Sequence, residues 1–137
     1  KPQEMYKKTT MRVLKGFIVM STLIFPAAAL GAGNIEIGKK VFNKCKACHS
    51  IKPGKHKIGP SLHGVFGRVA GSAPGFRRYR GLKGANWKWN KTTLDEYLTD
   101  PKVYVRKNNN KRRSGMVLKL KKKRDRQNII EYLKLLK

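Results

Sequence analysis

The chain has 137 residues, 33 of them Lys or Arg against 7 Asp or Glu, and a formal net charge of +26. That length holds one compact domain and excludes a large multidomain enzyme. Its two cysteines, Cys45 and Cys48, are too few for a disulfide framework, a four-cysteine zinc site or an iron–sulfur cluster.

Residues Lys1 to Thr10 are polar. From Met11 the pattern is that of a secretory signal, with Met11 a candidate start and the first ten residues an upstream extension. Arg12 and Lys15 form a positive opening, Gly16 to Leu30 is uncharged and mostly apolar, and small residues allow a cut after Gly31. An uncleaved anchor is the alternative, because Gly16 to Ile35 carries no charge and approaches the length of a bilayer span, although Pro26 interrupts it. Either way the expected division is residues 1–31 as extension plus signal or anchor, and 32–137 as an exported domain. The first part holds five basic residues and one acid, so the domain keeps a net charge of +22. Its hydrophobic residues build only a small core, and small cores are marginal without a staple such as a metal, a disulfide or a cofactor.

Glu36 to Lys44 is expected to form a short helix, with Gly38 and Phe42 sharing a face. It leads into Cys45-Lys46-Ala47-Cys48-His49, a C-x-x-C-H motif. Two residues between the cysteines let both sulfurs meet the two vinyl groups of one haem, and the following histidine can turn onto the iron. A thiol–disulfide redox pair would expect a βαβ context and has no use for His49. A zinc site would need a second pair of ligands.

Residues 49–90 are rich in Gly and Pro and lack periodicity, so they read as loops. So long a loop region makes sense if a haem fills the centre. Thr93-Leu94-Asp95-Glu96 reads as a capping box opening a helix, with Leu94, Tyr97 and Leu98 on its apolar side and Pro101 ending it. From Lys102 to Arg124 there are eleven basic residues and no acid. A last helix is expected from Arg124 to Leu136, with Ile129, Ile130, Leu133 and Leu136 in one stripe. The fold class is all-α.

The stretch from Gly38 to His49 resembles the opening of a class I cytochrome c. The likeness continues through Pro53 to Arg68, Gly71 to Phe76, Trp89, Leu94 to Leu98, Asp100-Pro101-Lys102 and the last helix. It is nearest to the mitochondrial and alphaproteobacterial, cytochrome c2-like branch. The resemblance implies N- and C-terminal helices packed together, with loops wrapping one haem c held covalently through Cys45 and Cys48. It makes His49 one iron ligand. Met116 becomes the other, being the one methionine beyond residue 31. Pro60 would accept a hydrogen bond from the His49 ring, Arg68 and Trp89 would bind a haem propionate, and Tyr97 would line the distal side. Arg78 stands where the family usually has a propionate-binding tyrosine and Tyr79 follows it, so both are left out of the site.

The segment from Arg106 to Gly115 departs from the family, being longer and lacking the proline that usually precedes the methionine. If it holds Met116 loosely, a lysine, His56, His63 or water takes the position, and a haem peroxidase-like enzyme with a labile ligand becomes the alternative function. The main expectation is a non-enzymatic carrier, passing single electrons from a quinol-oxidising bc1-type reductase to a cytochrome oxidase or similar acceptor. Lys44, Lys46, Lys52, Lys55, Lys57 and Lys102 resemble the family's docking lysines for acidic surfaces. The excess charge also suits an anionic membrane surface. No specific nucleic-acid partner is expected, and the carrier is expected to be a monomer. The expected location is periplasmic, or the intermembrane space if the protein is mitochondrial.

Overall fold

The computed structural model describes residues 32–137. The signal or anchor expected over residues 1–31 therefore lies outside the described residues. Four helices follow in order: α1 (Ile35–Val41), α2 (Lys91–Thr99), α3 (Pro101–Asn108) and α4 (Lys123–Leu133). A 3-10 turn, Phe42–Lys44, continues α1 toward the cysteine motif. Among the described residues there is no sheet, only an isolated bridge between Val69 and Lys88.

α1 packs across α4, and glycine makes the crossing close. A Cβ at Gly38 would stand 2.1 Å from the Asn128 carbonyl oxygen and 2.8 Å from the Tyr132 Cβ. Phe42 then meets Tyr132 with ring centroids 5.9 Å apart. Asn34 joins the two helices at their ends: its side chain caps α1 at the Ile37 N–H, and its own N–H donates to Asn128 Oδ1 at 2.7 Å. Ile129 and Ile130 of α4 and Val105 of α3 are the most deeply buried apolar side chains.

α2 begins three residues earlier than the Thr93 box implied. Asn90 is the cap, and Thr93 is the reciprocal partner: the Thr93 N–H donates to Asn90 Oδ1 and the Asn90 N–H to Thr93 Oγ1, each at 2.9 Å. Both residues have capping side chains, and the one three positions upstream won.

Pro101 ends α2 but also opens α3, which the sequence reading took for basic loop. Proline is at home in the first turn, where no intrahelical partner exists for its missing N–H. Asp100 caps α3 by accepting from the Lys102 and Val103 N–H groups at 3.1 and 3.2 Å. α4 starts at Lys123 and ends at Leu133, short of the expected Leu136. Its buried Arg126 reaches Asp95 of α2 at 2.8 Å and the carbonyls of Leu120 and Lys121 at 2.8 and 2.9 Å. One guanidinium thus fixes α4, α2 and the segment before α4.

Candidate functional site

The loops between α1 and α4 enclose an apolar cavity of about 500 Å³. Cys45, Cys48, His49, Pro60, Arg68, Trp89, Tyr97 and Met116 all line it. The sequence scatters these residues over 72 positions, and the fold gathers them around one space.

The motif reaches the wall through a chain of turns. The Cys45 N–H and Lys46 N–H both donate to the Phe42 carbonyl, and the His49 N–H donates to Cys45, so the backbone coils from α1 through the motif. Cys45 is buried and Cys48 exposed. Burial pushes the Cys45 thiol up to about 11, with Lys44 acting against it and Cys48 adding to it.

His49 Nδ1 lies 2.8 Å from the Pro60 carbonyl oxygen. A carbonyl only accepts, so Nδ1 carries the proton and Nε2 keeps its lone pair. Burial lowers the His49 pKa; the Pro60 bond raises it and Lys57 lowers it further. The neutral, ligating form is favoured. Gly59 makes room for the ring, because a Cβ there would stand 2.4 Å from His49 Cε1.

The bridge at Val69 and Lys88 sets Arg68 beside Trp89. The Trp89 N–H donates to the Arg68 carbonyl at 2.9 Å, and the Gly67 N–H donates to the Trp89 carbonyl at 2.7 Å. Arg68 donates to the carbonyls of His63 and Ser61 at 2.8 and 3.2 Å. Tyr97 is buried against Trp89, ring centroids 4.8 Å apart. Burial pushes its hydroxyl up to about 12, with Ser114 acting in part against it.

Met116 is half-buried against the core. Ser114 clasps its backbone, accepting from the Met116 N–H at 3.1 Å and donating to its carbonyl at 3.0 Å. The basic stretch before it is ordered by more than its own residues. Arg106 to Asn108 are the end of α3, and buried Asn109 donates to the carbonyls of Gly81 and Lys83 at 2.6 and 3.1 Å. Asn110 and Lys111 then turn sharply with φ of 48° and 58°. The expected long loop is a helix end plus an anchored turn.

Two histidines stay off the cavity, as structural or surface residues would, and one expectation changes. His56 is off the cavity lining: its Nε2 donates to the Pro74 carbonyl at 2.9 Å and its Nδ1 accepts from the Ser61 N–H at 3.0 Å. His63 is also off the lining. Arg78 and Tyr79, which the sequence reading left out, both line the cavity, as does Arg80. Sequence reasoning missed two more lining residues, Ile58 and Val117, which are 76% and 69% exposed and so sit at the opening. Loop residues carry no periodicity, so only the apolar character of exposed positions hinted at them.

Residues 35–137 match the family model for cytochrome c. The chain belongs to the cytochrome c family. It is 38% identical to cytochrome c2 of Rhodomicrobium vannielii over 69% of this chain and 77% of that one. It is 44% identical to cytochrome c of Chlamydomonas reinhardtii, over 75% and 89%. Among solved structures, cytochrome c2 from Rhodospirillum centenum aligns with a TM-score of 0.71 at 34% identity, over 76% of this chain and 98% of that one. The all-α fold is thus that of a class I, c2-like cytochrome c, and the protein is an electron-carrier cytochrome. The family binds one covalent haem c. The cavity fits it: an apolar interior, two thiols and an imidazole on one wall, a thioether among the lining groups, and guanidinium groups for its carboxylates.

Proposed function

We propose that this cytochrome c shuttles single electrons through an iron ligated by His49 and Met116. The carrying observation is that the two side chains line one apolar cavity while Pro60 ties up His49 Nδ1, leaving Nε2 as the free ring donor. The bound haem supplies a one-electron iron couple. Cys45 and Cys48 fix its position covalently, and the Pro60 bond holds the His49 ring in orientation and raises its basicity. A thioether as second ligand raises the potential relative to two histidines. Arg68 and Trp89 bind a carboxylate of the cofactor, and Tyr97 shapes the side occupied by Met116. The Ser114 clasp and the Asn109 anchor support firm placement of the methionine despite the unusual segment before it.

The partners are acidic docking surfaces on a bc1-type reductase and on a cytochrome oxidase or similar acceptor. Exposed Ile58 and Val117 at the cavity opening, with Lys44, Lys46, Lys55 and Lys57 on the motif side of the same domain, suit brief docking. Export of residues 32–137 as a monomer to the periplasm, with residues 1–31 as signal or anchor, agrees with the likeness to bacterial cytochromes c2. The peroxidase alternative requires an acid–base group above the iron, and no carboxylate is among the residues lining the cavity.

The test is an absorption spectrum of oxidised and reduced haem-loaded protein, with Met116→Ala beside it. A weak far-red band of the ferric methionine bond, lost in the variant, is expected. Haem bound without that band in the unmutated protein would overturn the ligation.

A further inference from the structure

Three arginines, Arg68, Arg78 and Arg80, are among the residues lining the cavity wall that runs from Arg68 to Leu82. Lys44, beside the cysteines, is the other cation of the lining, and no carboxylate is among the lining residues. The four ion pairs among the described residues, Lys44–Asp125, Lys119–Asp100, Arg126–Asp95 and Lys134–Glu131, leave all three arginines without a protein anion. Arg68 is half-buried, where a cation without a counter-charge is costly, and burial lowers its pKa; Arg78 and Arg80 are exposed at the cavity rim.

Arg78 is held in place. Its guanidinium lies over the Phe76 ring at 5.4 Å and donates to the Lys57 carbonyl. Phe76 is itself wedged edge-on between His56 and Tyr79, at 5.3 and 4.9 Å. Arginine has five N–H donors, so most of those on Arg78 remain free. Among the described residues, Arg80 makes no hydrogen bond to protein through its side chain.

We propose that Arg78 and Arg80 are positioning residues for the carboxylate edge of the haem, and that with Arg68 they raise the reduction potential of this cytochrome. Planar guanidinium groups match carboxylates in bidentate pairs. Positive charge fixed beside the cofactor favours the reduced, less positive iron. The proposal rests on the cavity being the haem site described above.

The experiment measures the reduction potential of haem-loaded protein at low ionic strength for Arg78→Gln, Arg80→Gln, Arg78→Lys and Arg77→Gln. Arg77 is exposed, adjacent in sequence and off the cavity lining, so it reports the general effect of removing one surface charge. Arg78→Gln and Arg80→Gln are each expected to lower the equilibrium constant for reduction about threefold, or about 30 mV for one electron. Arg77→Gln should move it less than half as far, and Arg78→Lys should keep most of the unmutated value. An equal shift at Arg77, or no shift at either Arg78 or Arg80, would overturn the proposal; a shift at one alone would overturn the pairing. The far-red band, recorded for each variant, reads a failure of Met116 ligation separately from the loss of a carboxylate contact.

Discussion

Gly59→Ala is the most direct test of how this backbone places His49, the proposed iron ligand. The new Cβ would stand 2.4 Å from His49 Cε1, 2.8 Å from Nδ1 and 2.9 Å from Nε2. Carbon atoms rest at roughly 3.5–4.0 Å, so the ring and the 59–60 backbone must separate by about 1 Å. The 2.8 Å bond from His49 Nδ1 to Pro60 cannot survive that displacement with good geometry. Overpacking costs about 1–3 kcal/mol, and the lost hydrogen bond adds about 1 kcal/mol. Together these make about 2–4 kcal/mol, or roughly 10–20 °C in Tm for a domain of this size. Thermal unfolding of the haem-loaded protein is the assay, with the absorption spectrum as a second readout of the weakened histidine. If Gly59→Ala unfolds within 2 °C of the unmutated protein, about the loss of a few tenths of a kcal/mol, and its spectrum is unchanged, the steric account of His49 placement is wrong.

Four further outcomes follow from the geometry. Gly38→Ala gains about 1 kcal/mol of helix propensity but drives a Cβ to 2.1 Å from the Asn128 carbonyl; backbone cannot rotate away, so urea unfolding should show a net loss of about 1–2 kcal/mol. Arg126→Met removes a buried guanidinium bound to Asp95 and to two carbonyls, and should cost about 2–3 kcal/mol at the same assay, because Asp95 is left partnerless but partly solvated. Asn109→Ala abandons the carbonyls of Gly81 and Lys83; about 1–3 kcal/mol of local stability goes, and limited trypsin digestion should cut first between Arg106 and Arg113. The Asp100 carboxyl is held below its usual value by its hydrogen bond to Lys119, with the Val103 and Lys102 N–H groups assisting. A depressed acid contributes stability above its unfolded pKa and loses it as pH falls through the folded one, so urea midpoints of the unmutated protein and Asp100→Asn should differ at pH 7 and converge in acid below that range.

The cysteine and histidine wall of the cavity was legible because it is local. A C-x-x-C-H motif carries its geometry in five adjacent residues, and Gly38 with Phe42 marks a helix face by spacing alone. What escaped the sequence lies where one residue type serves two purposes. Pro101 stops α2 and starts α3, and only the Asp100 cap, visible as a short acid before proline, separated the two readings. Asn90 and Thr93 are both capping residues, and their reciprocal bonds put the helix start at the earlier one. Arg78 was weighed and left out of the site, and Arg80 was not singled out, because loop backbone has no period: which side of a Gly-rich turn faces inward depends on contacts as distant as Asn109 with Gly81. The same contact explains why the basic segment before Met116 looked loose in the sequence and is anchored in the fold.

The charge of the protein and the composition of its cavity serve different ranges. A net +22 on the domain acts over roughly a Debye length and brings acidic partners in quickly. It cannot by itself select an orientation, because basic residues lie on every segment from α1 to α4. Orientation needs a short-range feature, and in the proposed docking the exposed Ile58 and Val117 at the cavity opening supply one. Two apolar side chains bury too little surface to hold a partner for long, given the cost of association, so release stays fast. Long-range attraction and small apolar contact together give the rapid binding and rapid release that an electron carrier requires.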